Sequence, residues 1–192
     1  MPTLDKTFRM ITLYIMSDVK SIRDIYSEIG VETYYLTMPY SNPHEKEVIK
    51  LLTENHQLLN LSNVLDLCCG DGLITTTLSN LGYNNIIGCD PFLFESYKNK
   101  TGKLCFQKSF LDIAKYGIPF LRTQKYSCII CSFGLHLCEP SLLPILLHWV
   151  SCATHQLVVI APSKHPIIDK PKIDKFCFNN KNKRTHMRIY SL

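Results

Sequence analysis

Three carboxylates and two glycines are of types that could hold a polar ligand. In Asn63-Val64-Leu65-Asp66-Leu67-Cys68-Cys69-Gly70-Asp71-Gly72, an apolar run carries Asp66 and ends in a tight turn with Gly70 and Gly72. Glycine permits positive φ and lets a ligand lie against the backbone. The residues beyond the turn read as a helix, whose first N–H groups lack intrahelical partners. A second apolar run, Ile86-Ile87-Gly88-Cys89, ends in Asp90. A carboxylate accepts two hydrogen bonds at once. A third acid, Asp112, closes Lys108-Ser109-Phe110-Leu111-Asp112. His136 follows a further apolar run that ends at Cys131, and an imidazole there could act as base or hold a substrate.

Two common nucleotide motifs do not fit. The dinucleotide fingerprint G-x-G-x-x-G requires a third glycine where Thr75 stands, and a pyrophosphate gains little from Asp66. A Walker A loop requires Lys after its last glycine, and none follows Gly72.

The elements that must position these residues alternate. Short apolar runs at 63–67, 85–89, 127–131 and 157–161 read as buried strands. Helix-length segments at 72–82, 92–100 and 140–153 separate them. Strands with continuous apolar character, linked by helices, predict a parallel sheet covered on both faces. Residues 44–58 read as a helix before the first strand, with Asn42 as its cap and Glu45 completing a capping box. Another helix is expected from Ser17 to about Glu28. At the other end, 175–179 and 186–191 read as an antiparallel hairpin around Asn179-Asn180-Lys181-Asn182-Lys183. The predicted class is α/β: a three-layer sandwich with a mostly parallel seven-stranded sheet and an antiparallel C-terminal edge hairpin.

The ordered set Asp66/Gly70/Gly72, Asp90, Asp112 and the loop after Cys131 resembles the class I (Rossmann-like) S-adenosylmethionine-dependent methyltransferases. Their first motif is [DE]-x-G-x-G-x-G. Asp66, Gly70 and Gly72 match it, and Cys68 stands at the first glycine, which is tolerable where that position keeps φ negative. The resemblance spans about residues 45–192. It implies methyl transfer from S-adenosyl-L-methionine to an unidentified acceptor: a protein side chain, RNA or a small molecule. It places Asp90 on the ribose hydroxyls with Pro91 beside it. Asp112 would approach the adenine amino group, with Phe110 or Leu111 against the ring. Cys68, Cys131 and Ser132 would line the same pocket. His136 becomes the catalytic candidate, and Tyr34, Tyr40 and His44 belong to a segment that would fold over the pocket. The loop Cys131-Ser132-Phe133-Gly134 lacks the [DNS]-P-P-[YFW] motif of exocyclic-nitrogen methylation. The alternative reading is a catalytically silent protein of this fold that serves as a binding partner. The three acids argue against silence, because a dead pocket has no need of unpaired carboxylates.

At 192 residues the chain has room for one compact domain: an N-terminal helical lid or extension, 1–44, and a methyltransferase core, 45–192. Nine scattered cysteines, with one Cys-x-x-Cys spacing buried in the run 128–131, predict reduced thiols and no metal centre. No apolar run reaches membrane-spanning length, which predicts no membrane contact and a cytoplasmic location. The net charge of +5 comes from the tail, where 170–188 is basic. That segment predicts a weak nucleic-acid contact, without the aromatic interleaving of a single-strand groove.

Overall fold

The computed structural model describes residues 28–30, 33–35, 42–117, 126–162, 168–169, 171–179, 181 and 183–192. The chain divides into two units, Met1–Ser41 and Asn42–Leu192. In the first, Tyr34 N–H donates to the Gly30 carbonyl at 3.1 Å, and the Tyr34 and Tyr35 rings meet edge-on at 5.3 Å. Tyr40 and residues 17–27, where a helix is expected, lie outside the described residues; Glu28 and Ile29 are helical.

The second unit begins with α1 (Glu45–Asn55), which continues as a 3-10 turn at His56–Leu58. Its cap differs from the expectation. His44 is the N-cap and makes no side-chain cap bond. Asn42 lies two residues earlier, and its Oδ1 accepts from His44 N–H at 2.9 Å, closing an Asx turn that delivers the chain to the helix.

Among the described residues, five strands and four helices then alternate. They are β1 (Val64–Leu67), α2 (Leu73–Asn80), β2 (Ile86–Cys89), α3 (Phe94–Thr101), β3 (Cys105–Phe106), α4 (Phe110–Tyr116), β4 (Cys128–Ser132), α5 (Leu143–Ala153) and β5 (Gln156–Ala161). The hairpin is β6 (Ile173–Phe178) and β7 (Arg184–Ser191). Together they form one seven-stranded sheet in the order β3-β2-β1-β4-β5-β7-β6. Neighbours from β3 to β5 are parallel. β7 runs antiparallel between β5 and β6.

Side-chain alternation divides the core between two faces. Leu65, Leu67, Ile129, Cys131, Leu157 and Val159 join α4 and α5 through Ile113, Leu146 and Val150. Val64, Cys128, Ile130, Val158 and Ile160 join α1 and α2 through Val48, Leu51, Leu52, Ile74 and Leu78. Cys128 and Cys131 therefore face opposite sides, and their sequence spacing forms no site. Both are fully buried, as small apolar side chains filling the two layers. Among the described residues, no helix is long and apolar enough to cross a membrane, and no group of three or more His, Cys, Asp or Glu is placed to hold a metal ion.

Candidate functional site

β1 lies between β2 and β4, so the connections leaving β1 and β4 diverge to opposite sides of the sheet. That divergence opens a crevice at the carboxyl ends of the strands. The turn after β1 is stitched to β2 by Cys69 N–H donating to the Cys89 carbonyl at 3.2 Å, and closed by Gly72 N–H donating to Cys69 at 2.9 Å.

Its backbone is left-handed at three positions: Cys68 (φ 57°), Gly70 (55°) and Gly72 (96°). The condition under which Cys68 would be unstrained, a negative φ, is not met. A side chain here carries the steric cost of a left-handed L-residue. Room for that side chain comes from across the sheet. A Cβ on Gly134, in the loop after β4, would lie 2.4 Å from the Cys68 Cβ and 2.9 Å from its Sγ. The Cys68 thiol rests against Cys131, and that contact together with burial pushes its pKa well up. Cys69 and Cys105 form a second thiol pair, Sγ to Sγ 3.5 Å. All nine cysteines are free.

Asp66 is fully buried beneath the turn, on the face covered by α2. Its Oδ2 accepts from Thr75 Oγ1 at 2.8 Å. With that proton committed, Tyr97 Oη donates to Thr75 Oγ1 at 2.9 Å. Burial raises the Asp66 pKa from 3.8 to about 7, although the Thr75 bond opposes the shift. Its second oxygen finds no partner among the described residues. The Tyr97 ring fills the space beneath two glycines. A Cβ on Gly88 would lie 2.6 Å from that ring, and one on Gly72 3.1 Å from it and 2.5 Å from Thr101 Cγ2. Gly72 is thus required both by packing from below and by its left-handed backbone. Thr75 and Tyr97 were not legible as site residues. Thr75 registered only as a missing glycine, and a Tyr inside a polar helix carries no signal of its own.

Asp90 clamps two loops together. Its Oδ2 accepts from Gly70 N–H at 3.1 Å, and its Oδ1 accepts from Phe92 N–H at 2.9 Å and Leu93 N–H at 2.8 Å. Burial pushes its pKa up against these three bonds. Asp112 has a different occupation. With Ser109 it forms the capping box of α4: Ser109 N–H and Oγ donate to Asp112 Oδ2 at 2.8 and 2.6 Å, and Asp112 N–H donates back to Ser109 Oγ at 3.1 Å. The Ser109 bonds hold its pKa below the ordinary carboxylate value. The three acids are therefore each partnered within the protein, which corrects the picture of unpaired carboxylates. Pro91 follows the clamp and its carbonyl accepts from Gln107 Nε2 at 3.4 Å. Phe110 opens α4 and packs on the core beside Ile113.

At the end of β4, Cys131 is fully buried and Ser132 Oγ is buried with no partner among the described residues. An orphaned hydroxyl at a sheet switch point is a place for a ligand hydrogen bond. Phe133 follows with φ 52°. Its ring stacks on His44, centroids 4.4 Å apart and planes 11° apart. His44 is thereby held at the loop after β4. Burial lowers its pKa, so the imidazole is neutral near pH 7 and able to accept a proton. His136 sits half-buried in a single 3-10 turn, Leu135–Leu137, of the same loop. The structure thus brings Asp66, Cys68, Gly70, Gly72, Asp90, Cys131, Ser132 and His44 around one end of the sheet.

Comparison with known proteins agrees with this architecture. No family model matches the chain. It is 30% identical over 206 aligned positions to the uncharacterized protein C17A5.05c of Schizosaccharomyces pombe, covering 82% of this chain and 83% of that one. Among solved structures it superposes on magnesium protoporphyrin IX methyltransferase from Synechocystis PCC 6803 with bound SAM, TM-score 0.60 at 14% identity, covering 89% of this chain and 95% of that one. It also superposes on the methyltransferase domain of bacterial CtHen1-C, TM-score 0.57 at 14% identity, covering 79% of this chain and 99% of that one.

Proposed function

This chain belongs to one family with the fission yeast protein and has the fold of the class I SAM-dependent methyltransferases, and from that premise we propose that it binds S-adenosyl-L-methionine and transfers a methyl group to an acceptor. The observation that carries the reading is Asp90. Its carboxylate joins the glycine turn after β1 to the loop after β2 at the point where the strand order reverses. When bound, the cofactor supplies a methyl group already activated on a sulfonium centre, so the protein's task is chiefly positioning.

In this reading Asp90 receives the ribose hydroxyls through the lone pairs its backbone partners leave over. Gly70 lets the ligand lie against the turn. Pro91 and Phe110 flank the adenine. Ser132 Oγ, orphaned at the end of β4, meets a polar group of the cofactor, and Cys68 and Cys131 supply the apolar wall beside it. Asp66 acts from below through Thr75. On the acceptor side, His44 is the group prepared to take a proton, with its ring fixed by Phe133, and His136 shares the loop. The segment 1–44 takes part in acceptor selection. Nine free thiols favour a reducing compartment, the cytoplasm.

A second reading, a silent member of the fold, is favoured by one observation: the Cys68 side chain stands where a glycine would leave the turn open. Calorimetric titration with S-adenosylmethionine and S-adenosylhomocysteine separates the two. Micromolar binding of both supports the enzyme, and binding of neither overturns it in favour of the silent scaffold.

A further inference from the structure

The register of the two outer strands assembles a surface that the order of residues conceals. Phe176 and Phe178 lie on one face of β6, opposite His186 and Arg184 of β7. Cys177, between them, turns to the other face, where its thiol reaches the Glu47 carbonyl of α1. The two phenyl rings meet edge-on, centroids 5.6 Å apart, and stay 49% and 51% exposed. The Arg184 guanidinium lies 4.9 Å from the first ring centroid and 5.4 Å from the second. His186 lies 5.7 Å from the Phe176 ring and 2.9 Å from Asp174, and Arg188 is 3.5 Å from the same carboxylate. From Lys175 to Leu192 there are five Lys or Arg and no acid.

We infer that this face is a stacking platform for single-stranded nucleic acid. The absence of aromatic interleaving, read from the sequence, is corrected by strand pairing. Half-exposed rings stack on any base, because every base has a π face. A guanidinium beside both rings offers a second plane for a base and donors for a phosphate. Arg184 is exposed on this face, whereas Arg188 is buried beside Asp174, whose carboxylate is engaged by His186 and Arg188.

The charge selects the occupant. A second copy would set the same basic face against itself, and Lys175 on the edge strand opposes strand-to-strand pairing. A duplex keeps its bases stacked internally and offers no free ring face. The tip lysines add less than their number implies, because Lys181 and Lys183 share a groove with Glu45 and Glu47 on the α1 side. β6 runs in the same direction as β1 to β5, so Phe178 and Arg184 lie towards the edge at which β4 ends. At about 4.8 Å per strand, β6 stands roughly 14 Å from β4. The platform is independent of methyl transfer and is tested without it.

The test is fluorescence anisotropy of the full chain with labelled oligouridine, oligothymidine and a duplex of equal length, at low and physiological salt. Both single strands should bind more tightly than the duplex, and the preferred sugar identifies RNA or DNA as the source. Phe176→Ala with Phe178→Ala should weaken binding about tenfold or more with its salt dependence unchanged. Arg184→Ala should weaken it and reduce the salt slope by about one. Failure of single strands to bind overturns the inference. So does wild-type affinity in the folded double variant, which would leave only diffuse attraction to a basic tail. A wild-type dimer that the double variant loses, seen by sedimentation, overturns it in favour of a second copy. Should the alanine variant fail to fold, Phe176→Leu with Phe178→Leu keeps the apolar volume, removes the ring faces and gives the same readout.

Discussion

A Cβ placed on Gly134 would lie 2.4 Å from the Cβ of Cys68, so the absence of a side chain at one position makes room for a side chain at the other. The two residues come from different loops, after β1 and after β4, and meet because those strands are neighbours. The φ of −108° at Gly134 is open to any residue, so its glycine is required by this contact and not by its backbone.

Gly134→Ala should therefore destabilise the protein by about 1–3 kcal/mol through overpacking. Cys68→Gly removes both the clash and the left-handed strain. In the double variant much of the Gly134→Ala cost should disappear, giving a coupling of about 1–2 kcal/mol in a denaturant double-mutant cycle. Additive costs would show that the two positions do not share the space.

Asp66 predicts a pH dependence whose sign runs opposite to that of a salt-bridged carboxylate. Its pKa is raised from 3.8 to about 7 by burial. The folded state therefore holds the proton more tightly than the unfolded state. The resulting stability is complete below about pH 4 and is lost as pH rises towards 7 and beyond. Unfolding of the ligand-free protein should show wild type losing stability between about pH 4 and about 7 relative to Asp66→Asn, whose profile lacks this component. Parallel profiles would refute the shift.

Asp90→Ala removes three accepted hydrogen bonds and the proposed ribose contact together. Calorimetry should show S-adenosylmethionine affinity falling by about 10-fold to 100-fold, with some loss of melting temperature. Asp90→Asn keeps one acceptor oxygen and should recover part of the stability while binding stays weak. Unchanged affinity in a folded Asp90→Ala protein would sink the proposed site.

Ser109→Ala and Asp112→Ala each dismantle one half of the α4 capping box and should cost about 0.5–2 kcal/mol in thermal or denaturant unfolding. Cofactor affinity distinguishes the roles available to Asp112. A carboxylate spent on capping leaves binding nearly unchanged when removed, whereas a contact with the adenine amino group weakens it.

The carboxyl ends of the strands were legible within a residue, because fully buried strands read as continuous apolar runs. The runs expected at 85–89 and 157–161 are Ile86–Cys89 and Gln156–Ala161 in the structure. β3 was not legible, since two residues, Cys105–Phe106, carry no periodicity. α4 was also missed as a helix, because its cap, Ser109, and its N3 residue, Asp112, had been read as parts of a binding motif. The left-handed backbone at Cys68, the Cys69–Cys105 contact and the meeting of Arg184 with Phe176 depend on strand pairing across the chain. No local pattern encodes such meetings. Asp90 stands at the end of β2 as the apolar run implies, whereas Asp112 lies in the first turn of α4, and the sequence could not show how fully the protein itself occupies these acids.

The Tyr97 ring, seated beneath both Gly72 and Gly88 and hydrogen-bonded to Thr75, makes α3 and the glycine turn a single cooperative unit. α3 cannot lift from the sheet without vacating the space that shapes the turn. Local opening of α3 therefore enters the ligand's apparent dissociation constant as a population factor, since only the closed fraction can bind. By the same linkage, occupancy of the crevice should slow amide hydrogen exchange across Phe94–Thr101, a helix to which no ligand contact is assigned.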